Sequence, residues 1–225
     1  MKNFNPVWDQ IFSQRSPSFY PFDNVVSFVF RNFPTNKPKN QINILEVGCG
    51  GGNNLLFAAR EGFNVYGIDG SKKALQFAHN RFQSAGLKGN FILGDFTKLP
   101  YDSGFFDIVI DRCSIACVNK ESAIKTFKQI HRVLGPKGKF FFNSYSDLHT
   151  SCVMGKQLSN GITSEITQGS LVGNGDLSFY SQNELLDYFS DFWNIKEMKL
   201  KKIEEVFSDK NDLHAEWEII LEKHG

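Results

Sequence analysis

The sequence has little of several features that assign a chain to a specialised class. Its 225 residues include four cysteines, which form no CxxC pair and no zinc-finger spacing with histidine. No apolar run is long enough to cross a bilayer. The N-terminal MKNFNPVWDQIF has no continuous apolar stretch before a small-residue cleavage site. We therefore expect a reduced, cytoplasmic protein with no metal site, membrane association or secretion signal.

The sequence also lacks an excess of either charge. Lys and Arg number 25, Asp and Glu number 24, and the formal net charge is +1. This balance disfavours a broad nucleic-acid surface or a polybasic membrane patch. A small-molecule partner is the better expectation, and the charge leaves monomer and homodimer open.

Phenylalanine is abundant, with 23 residues, and the aromatic side chains crowd the start of the chain. Residues 1–33 hold 9 of the 32 aromatic residues. Pro17 and Pro21 divide two short helical patterns here, with Asp23 as the expected cap of the second. The turn-rich segment 34–40 follows. We therefore expect residues 1–40 to form an aromatic-rich helical arm or lid, ahead of a main domain over residues 41–225.

The main domain alternates strand and helix patterns. Strands are predicted at 42–47, 63–68, 90–93, 106–110 and 139–145, and helices at 54–61, 71–84 and 120–134. Such alternation requires crossover connections and a parallel sheet covered on both faces. The fold class is therefore α/β, doubly wound.

The last third of the chain follows a different pattern. Residues 146–178 are rich in Ser, Gly, Thr and Asn and predict a long loop or cap insertion. A helix is expected over 181–192, with Ser181 and Glu184 in capping-box spacing. Two strands, 193–207 and 214–223, joined by a polar turn at 208–212, predict an antiparallel pair at the sheet edge.

The densest functional signal is the segment ILEVGCGGGNN. A strand ends here in Gly48, Gly50, Gly51 and Gly52 and is followed by a helix, an arrangement that lets a nucleotide or nucleoside approach the backbone. The dinucleotide-binding pattern G-x-G-x-x-G needs glycine at its sixth position, where this chain has Asn53. No Gly-Lys-Ser/Thr follows the glycines, which excludes a Walker phosphate-binding loop. An acidic residue before the turn, Glu46, suits a positively charged ligand group.

Acidic residues also end the next three strands. Asp69 is placed to accept hydrogen bonds from ribose hydroxyls. Asp95 can accept from an amino group beside the aromatic ring of Phe96, and Asp111 ends the fourth strand. Because the carboxyl ends of parallel strands share one edge, we expect these side chains to lie around one site.

Together these motifs resemble the class I S-adenosylmethionine-dependent methyltransferases, of the small-molecule branch called type 11 or type 25. ILEVGCGGGNN, VYGIDGS, GDFTKLPYDSGFFDIVIDR and IHRVLGPKGKFFF resemble successive motifs of that family. The resemblance implies a Rossmann-like seven-stranded sheet of order 3-2-1-4-5-7-6, with strand 7 antiparallel. It implies S-adenosylmethionine as cofactor and S-adenosylhomocysteine as product. The cofactor-binding residues it implies are Glu46, Gly48, Gly50, Gly52, Asn54, Asp69, Gly70, Ser71, Asp95, Phe96 and Asp111.

The acceptor is less well defined by the sequence. In the family that the sequence resembles, an Asn-Pro-Pro-Tyr segment after the fourth strand is typical of enzymes that methylate an amide or an exocyclic base nitrogen. This chain has Asp111-Arg-Cys-Ser114 there, so the resemblance disfavours such an acceptor. A general base is expected among His149 and Asp111, although a thiol or amine acceptor needs none. Candidate substrate-binding residues are Trp8, Tyr20, Arg112, Tyr145 and His149.

The function that these features favour is methyl transfer to an oxygen or nitrogen of a small molecule, such as a sugar or a secondary metabolite. Three alternatives stay open. A macromolecular methyltransferase would act on RNA or protein, and an NAD(P)-dependent oxidoreductase would share the fold. A catalytically silent domain would retain only the cofactor site.

Overall fold

A central seven-stranded sheet organises the chain, which we describe from a computed structural model covering residues 5–207 and 211–224. Its order is β3-β2-β1-β4-β5-β9-β8. Counted within this sheet alone, that order is 3-2-1-4-5-7-6, as the family resemblance predicts. The strand next to β5 is antiparallel to it, so the predicted reversal of the last strand is confirmed.

The strands of the main sheet lie close to their predicted positions. They are β1 (Asn43–Val47), β2 (Asn64–Asp69), β3 (Asn90–Leu93), β4 (Phe106–Arg112), β5 (Leu134–Tyr145), β8 (Trp193–Glu204) and β9 (Leu213–Lys223). Strand β5 begins five residues before its predicted start because Leu134 pairs with Phe106 across an irregularity in the register. Residues 208–210 of the expected polar turn lie outside the described residues.

Seven α-helices connect and cover the strands in the described part of the chain. They are α1 (Val7–Gln14), α2 (Asp23–Asn32), α3 (Asn53–Arg60), α4 (Lys72–Ser84), α5 (Lys120–Val133), α6 (Thr150–Val153) and α7 (Gln182–Phe189). The predicted capping box forms between Ser181 and Glu184, and Ser71 caps α4. Asp23, the expected cap of α2, is instead the first residue of the helix, and Phe22 occupies the cap position before it.

Three consecutive phenylalanines in β5 divide the core between the two faces of the sheet. Phe140 and Phe142 pack on one face with Phe127 of α5. Phe141 points to the other face, where it stacks on Phe28 with ring centroids 5.0 Å apart. Side chains of a strand alternate between faces, so an unbroken apolar run requires cover on both. This is the doubly wound architecture predicted from the pattern.

The N-terminal arm consists of two helices with different roles. Helix α2 buries Val25, Phe28 and Val29 in the core, and each such side chain stabilises the fold by about 1.5–3 kcal/mol. Helix α1 has no buried residue. The arm is therefore only partly separate from the domain that follows.

Residues 146–178 contain short elements of their own. Helix α6 is followed by the two-stranded sheet of β6 (Lys156–Gln157) and β7 (Thr163–Ser164). Leu171, Leu177 and Phe179 form a small buried cluster beneath them. The segment is thus a packed cap on the carboxyl edge of the sheet. None of the helices in the described ranges combines the length and apolarity needed to span a membrane.

Candidate functional site

A cavity of about 320 Å³ opens at the carboxyl edge of the sheet. Gly48, Asp69 and Asp95 reach it from the ends of β1, β2 and β3. Arg112 and Tyr145 reach it from β4 and β5. In a doubly wound sheet ligands bind at this edge, where the strand order reverses beside β1. The arm and the 146–178 segment form the remaining walls.

The glycine turn after β1 requires glycine for two different reasons. At Gly48 the backbone has a φ of +63°, and a Cβ would lie 2.1 Å from the Cβ of Ser114. At Gly50, with a φ of +51°, a Cβ would meet Phe12 at 3.4 Å and would take up space on the cavity lining. The turn therefore brings bare backbone to the cavity. Gly52 does not line it and turns the chain into α3 instead.

Asp69 joins the glycine turn to the end of β2. Its Oδ2 accepts a hydrogen bond from Gly50 N at 2.8 Å, and its Oδ1 accepts one from Ser71 N at 2.7 Å. Burial raises the pKa of this carboxyl, and the backbone hydrogen bonds from Ser71 and Gly50 oppose that rise. Each carboxylate oxygen has two acceptor positions, so Asp69 keeps capacity for ligand hydroxyls. Gly70 lines the cavity beside it.

Asp95 and Phe96 lie on the same side of the cavity, after β3. Asp95 Oδ1 accepts hydrogen bonds from the N and Oγ1 of Thr97, at 2.9 and 2.7 Å. These contacts fix the orientation of the carboxylate at the cavity wall. Ser71 does not line the cavity; it is fully buried, and its hydroxyl accepts a hydrogen bond from Ala74 N.

Glu46 lies under the glycine turn and not on the cavity lining. It is 3% exposed, and its Oε1 accepts a hydrogen bond from Asn54 Nδ2 at 2.6 Å. Its Oε2 has no hydrogen-bond partner. Burial raises the pKa of Glu46 to about 8, against the lowering effect of Asn54, and Asp111 and Asp69 raise it further. Asn54 also accepts from Phe22 N at 3.0 Å, so it links this carboxyl to the arm.

Asp111 is completely buried behind the cavity wall. Its Oδ1 accepts hydrogen bonds from the N atoms of Ser114 and Ile115, both at 3.0 Å. Its Oδ2 has no partner. Burial raises the pKa of Asp111 to about 7, although the hydrogen bonds from Ser114 and Ile115 lower it. The carboxylate holds the turn after β4, and the structure does not bring it to the lining.

His149 is also buried and away from the cavity lining. Its Nδ1 accepts a hydrogen bond from Ser151 N at 2.9 Å at the start of α6. Its Nε2 lies 3.1 Å from His214 Nδ1. Burial lowers the pKa of His149 to about 4, with His214 adding to the effect, so the ring is neutral near pH 7. Tyr145 contacts both rings and lies on the lining.

The arm supplies some of the expected wall residues. Trp8 lines the cavity as expected, whereas Tyr20 is 76% exposed and does not. Phe22, from the same aromatic segment, lines the cavity as well. The backbone carbonyl of Tyr20 accepts a hydrogen bond from Asn53 Nδ2 at 2.9 Å, which holds this part of the arm against α3. The side chain of Tyr20 is left pointing to solvent.

Several lining residues have no motif in the sequence to mark them. They are Asn5, Phe12, Gly94, Cys113, Ser114, Cys117, Val118, Asn174 and Leu177. Gly94, Cys113 and Ser114 could have been predicted, because each lies just after the end of a strand of the sheet. Asn174 and Leu177 come from the 146–178 segment, whose path depends on tertiary packing. The cysteines are free thiols.

Comparison with known proteins agrees with this geometry. A family described as "Methyltransferase domain" matches residues 38–209. A putative methyltransferase YqeM of Bacillus subtilis is 29% identical over 147 residues, covering 64% of this chain and 55% of that protein. Norajmaline N-methyltransferase of Rauvolfia serpentina is 31% identical over 122 residues, covering 52% of this chain and 40% of that protein. The chain thus spans about half the length of the curated relatives it matches.

A solved structure of similar fold is the S-adenosylmethionine-dependent methyltransferase of Clostridium acetobutylicum. It superimposes with a TM-score of 0.69 over 97% of each chain, at 17% identity. At that identity the likeness concerns the fold. The family match covers well over half of the chain. The chain therefore belongs to the methyltransferase-domain family, and it shares its fold with S-adenosylmethionine-dependent methyltransferases of known structure.

Proposed function

We propose that the protein transfers a methyl group from S-adenosylmethionine to an oxygen or nitrogen of a small molecule. The observation that carries the proposal is a cavity with two unlike sides. One side, at the ends of β1, β2 and β3, has bare glycine backbone and carboxylates. The other side, at the ends of β4 and β5, is walled by the arm and the 146–178 segment. A cofactor and a small acceptor can meet between them.

The first side fits the family's cofactor. A Cβ at Gly50 would enter the space that a ligand needs, and Asp69 has acceptor capacity for two ribose hydroxyls. Asp95 and Phe96 suit an adenine amino group and its ring. We assign the methionine part to the glycine turn beside Glu46, because a cationic ligand group there would favour ionisation of this buried carboxyl.

The second side favours a small, partly apolar acceptor. Trp8 and Phe22 line it from the arm, and Leu177 from the 146–178 segment. A cavity of this size with aromatic walls suits a metabolite better than a long polymer. Norajmaline N-methyltransferase, which matches about half of this chain, is named for a small-molecule nitrogen acceptor.

When bound, S-adenosylmethionine supplies an activated methyl group for in-line displacement. The residues of this chain then have to align the acceptor and exclude water. Burial raises the pKa of Cys113 to about 12 and that of Tyr145 above its ordinary value, so both stay protonated near pH 7. Among the described residues of the second side, none is therefore a ready general base. An acceptor atom that is already unprotonated suits this arrangement.

Two measurements test the proposal. Calorimetric titration with S-adenosylhomocysteine, S-adenosylmethionine and NAD(P) is expected to give binding of the first two only. Gly50→Val should abolish that binding, while Gly86→Val, in open surroundings, should retain it. Binding of NAD(P) alone would contradict the proposal.

The acceptor class is tested by transfer of a radiolabelled methyl group to cell extracts. We expect label in the low-molecular-mass fraction, and no change after nuclease or protease digestion of the extract. Label that is lost with RNA or protein would identify a macromolecular acceptor instead. Cofactor binding without label transfer to any fraction would favour a silent binding domain.

A further inference from the structure

Arg112 stands out among the residues of the cavity. It ends β4, beside Tyr145 of β5 and on the opposite side of β1 from Asp69 and Asp95. Among the described residues that line the cavity, it alone has a cationic side chain. Its position therefore puts a positive charge on the acceptor side.

The guanidinium group of Arg112 has more donors than partners. Of its five N–H donors, Nη1 contacts Cys113 Sγ at 2.6 Å, and thiol sulfur is a weak acceptor. Nε is buried without a hydrogen-bond partner. Nη2 lies 3.7 Å from Glu216 Oε2, which is beyond hydrogen-bond distance. Nη1 and Nη2 carry four N–H donors between them, so beyond these two contacts the group keeps donors for a ligand oxygen.

The surroundings hold the guanidinium in one plane. The ring centroid of Phe22 lies 4.4 Å from Arg112 Cζ, so the aromatic face supports the planar group. Phe22 is itself fixed through its backbone N–H, which donates to Asn54 Oδ1. A guanidinium supported on one face presents its N–H edge in a fixed direction.

A chain of polar groups supports Arg112 from behind. His149 Nδ1 accepts from Ser151 N, so neutral His149 carries its proton on Nε2 and can donate it to His214 Nδ1. The other ring nitrogen of His214, Nε2, lies 3.5 Å from Glu216 Oε2. Ser170 Oγ lies within 3.2 Å of both facing ring nitrogens. Glu216 Oε2 is buried without a hydrogen-bond partner and lies 3.7 Å from Arg112 Nη2, so this chain of polar groups ends in the ion pair with Arg112.

The charges around Arg112 favour a ligand with one negative charge. Glu216 balances part of the guanidinium charge, and Asp111 adds negative charge when it ionises. A phosphate dianion would need more positive charge than this site offers. A carboxylate is planar, has a single charge and matches the two-pronged geometry of the guanidinium.

We propose that the acceptor carries a carboxylate group, which Arg112 binds within the cavity while Phe22, Trp8 and Leu177 enclose the apolar part of the molecule. The inference rests on the proposed function, because it takes the second side of the cavity as the acceptor site. Arg112 is then the residue that selects acceptors by charge.

Matched pairs of small ligands test the proposal. Benzoate is compared with benzamide, and indole-3-carboxylate with indole-3-carboxamide, by ligand-observed NMR and calorimetry with and without S-adenosylhomocysteine. We expect each carboxylate to bind at least about tenfold more tightly than its amide. Arg112→Gln should remove this preference. Arg60→Gln, at an exposed position on α3 outside the cavity, should retain it.

Several results would overturn the proposal. Equal binding of the carboxylate and the amide to the native chain would refute it. This comparison needs no variant, so it remains decisive even when Arg112→Gln does not fold. Retention of the preference in a folded Arg112→Gln variant, or tighter binding of phenyl phosphate than of benzoate, would also refute it. Failure to bind S-adenosylhomocysteine would count against the proposed function, whereas the carboxylate preference is measured separately.

Discussion

Replacement of Glu46 by glutamine should stabilise the ligand-free protein, and the gain should grow with pH. Glu46 is 3% exposed, and only one of its two oxygens has a hydrogen-bond partner. Burial raises its pKa from 4.5 to about 8 in the folded chain. Between these values the folded state keeps a proton that the unfolded state releases. Stability therefore falls as the pH rises through this interval.

The size of the effect follows from the pKa difference. Each pKa unit corresponds to about 1.4 kcal/mol. Ionisation of this buried carboxyl above its folded pKa therefore lowers the free energy of unfolding by several kcal/mol. The glutamine side chain of the Glu46→Gln variant cannot ionise, and its amide oxygen can still accept from Asn54. The stability difference between Glu46→Gln and the native chain should therefore grow by about 3 kcal/mol between about pH 5 and about pH 8. Asp111, which has its own raised pKa, is present in both chains.

Urea denaturation at a series of pH values, followed by circular dichroism, measures this difference. Glu165→Gln is the matched control, because Glu165 is exposed and its ion pair among the described residues is with the exposed Lys156 of β6. Its effect should stay within about 1 kcal/mol at every pH. If the native chain and Glu46→Gln show parallel pH profiles, Glu46 is ionised in the folded protein and the reasoning from burial fails.

Three further substitutions test other parts of the site. Gly48→Ala brings a Cβ to 2.1 Å from the Cβ of Ser114 at a φ of +63°, so the free energy of unfolding should drop by more than about 2 kcal/mol. Gly86→Ala, with a similar φ in open space, should lose about 1 kcal/mol by urea denaturation. Asp69→Asn should weaken S-adenosylhomocysteine binding by about 1–3 kcal/mol in calorimetry, and unchanged affinity would contradict its assignment to the ribose. His149→Ala should lower the melting temperature but leave turnover within about tenfold, whereas a loss of about 100-fold or more that shrinks as the pH rises would identify it as the general base.

The sheet and its order could be predicted because local patterns determine them. The apolar residues 140–142 of β5 require cover on both faces of the sheet. The glycines after β1 indicate a tight turn between a strand and a helix. Residues at strand ends, such as Asp69 and Asp95, reach the cavity because parallel strands end at one edge.

Other site residues depend on contacts that the sequence does not encode locally. His149 follows β5 closely, yet its ring turns away from the cavity to pair with His214, 65 residues later. Tyr20 and Phe22 are two positions apart in one aromatic segment, but only Phe22 lines the cavity. The backbone N–H of Phe22 donates to Asn54 Oδ1, a contact 32 residues away in the chain that no composition or spacing reveals.

Helix α1 places Trp8 and Phe12 on the cavity wall although none of its residues is buried. Substitutions at these two positions would therefore cost little folding free energy, since large losses come from buried residues. Helix α2, whose side chains belong to the core, has no such freedom. Under the proposed function, acceptor preference can therefore change during evolution through a helix with no residue in the core, while the proposed cofactor side stays fixed by the sheet.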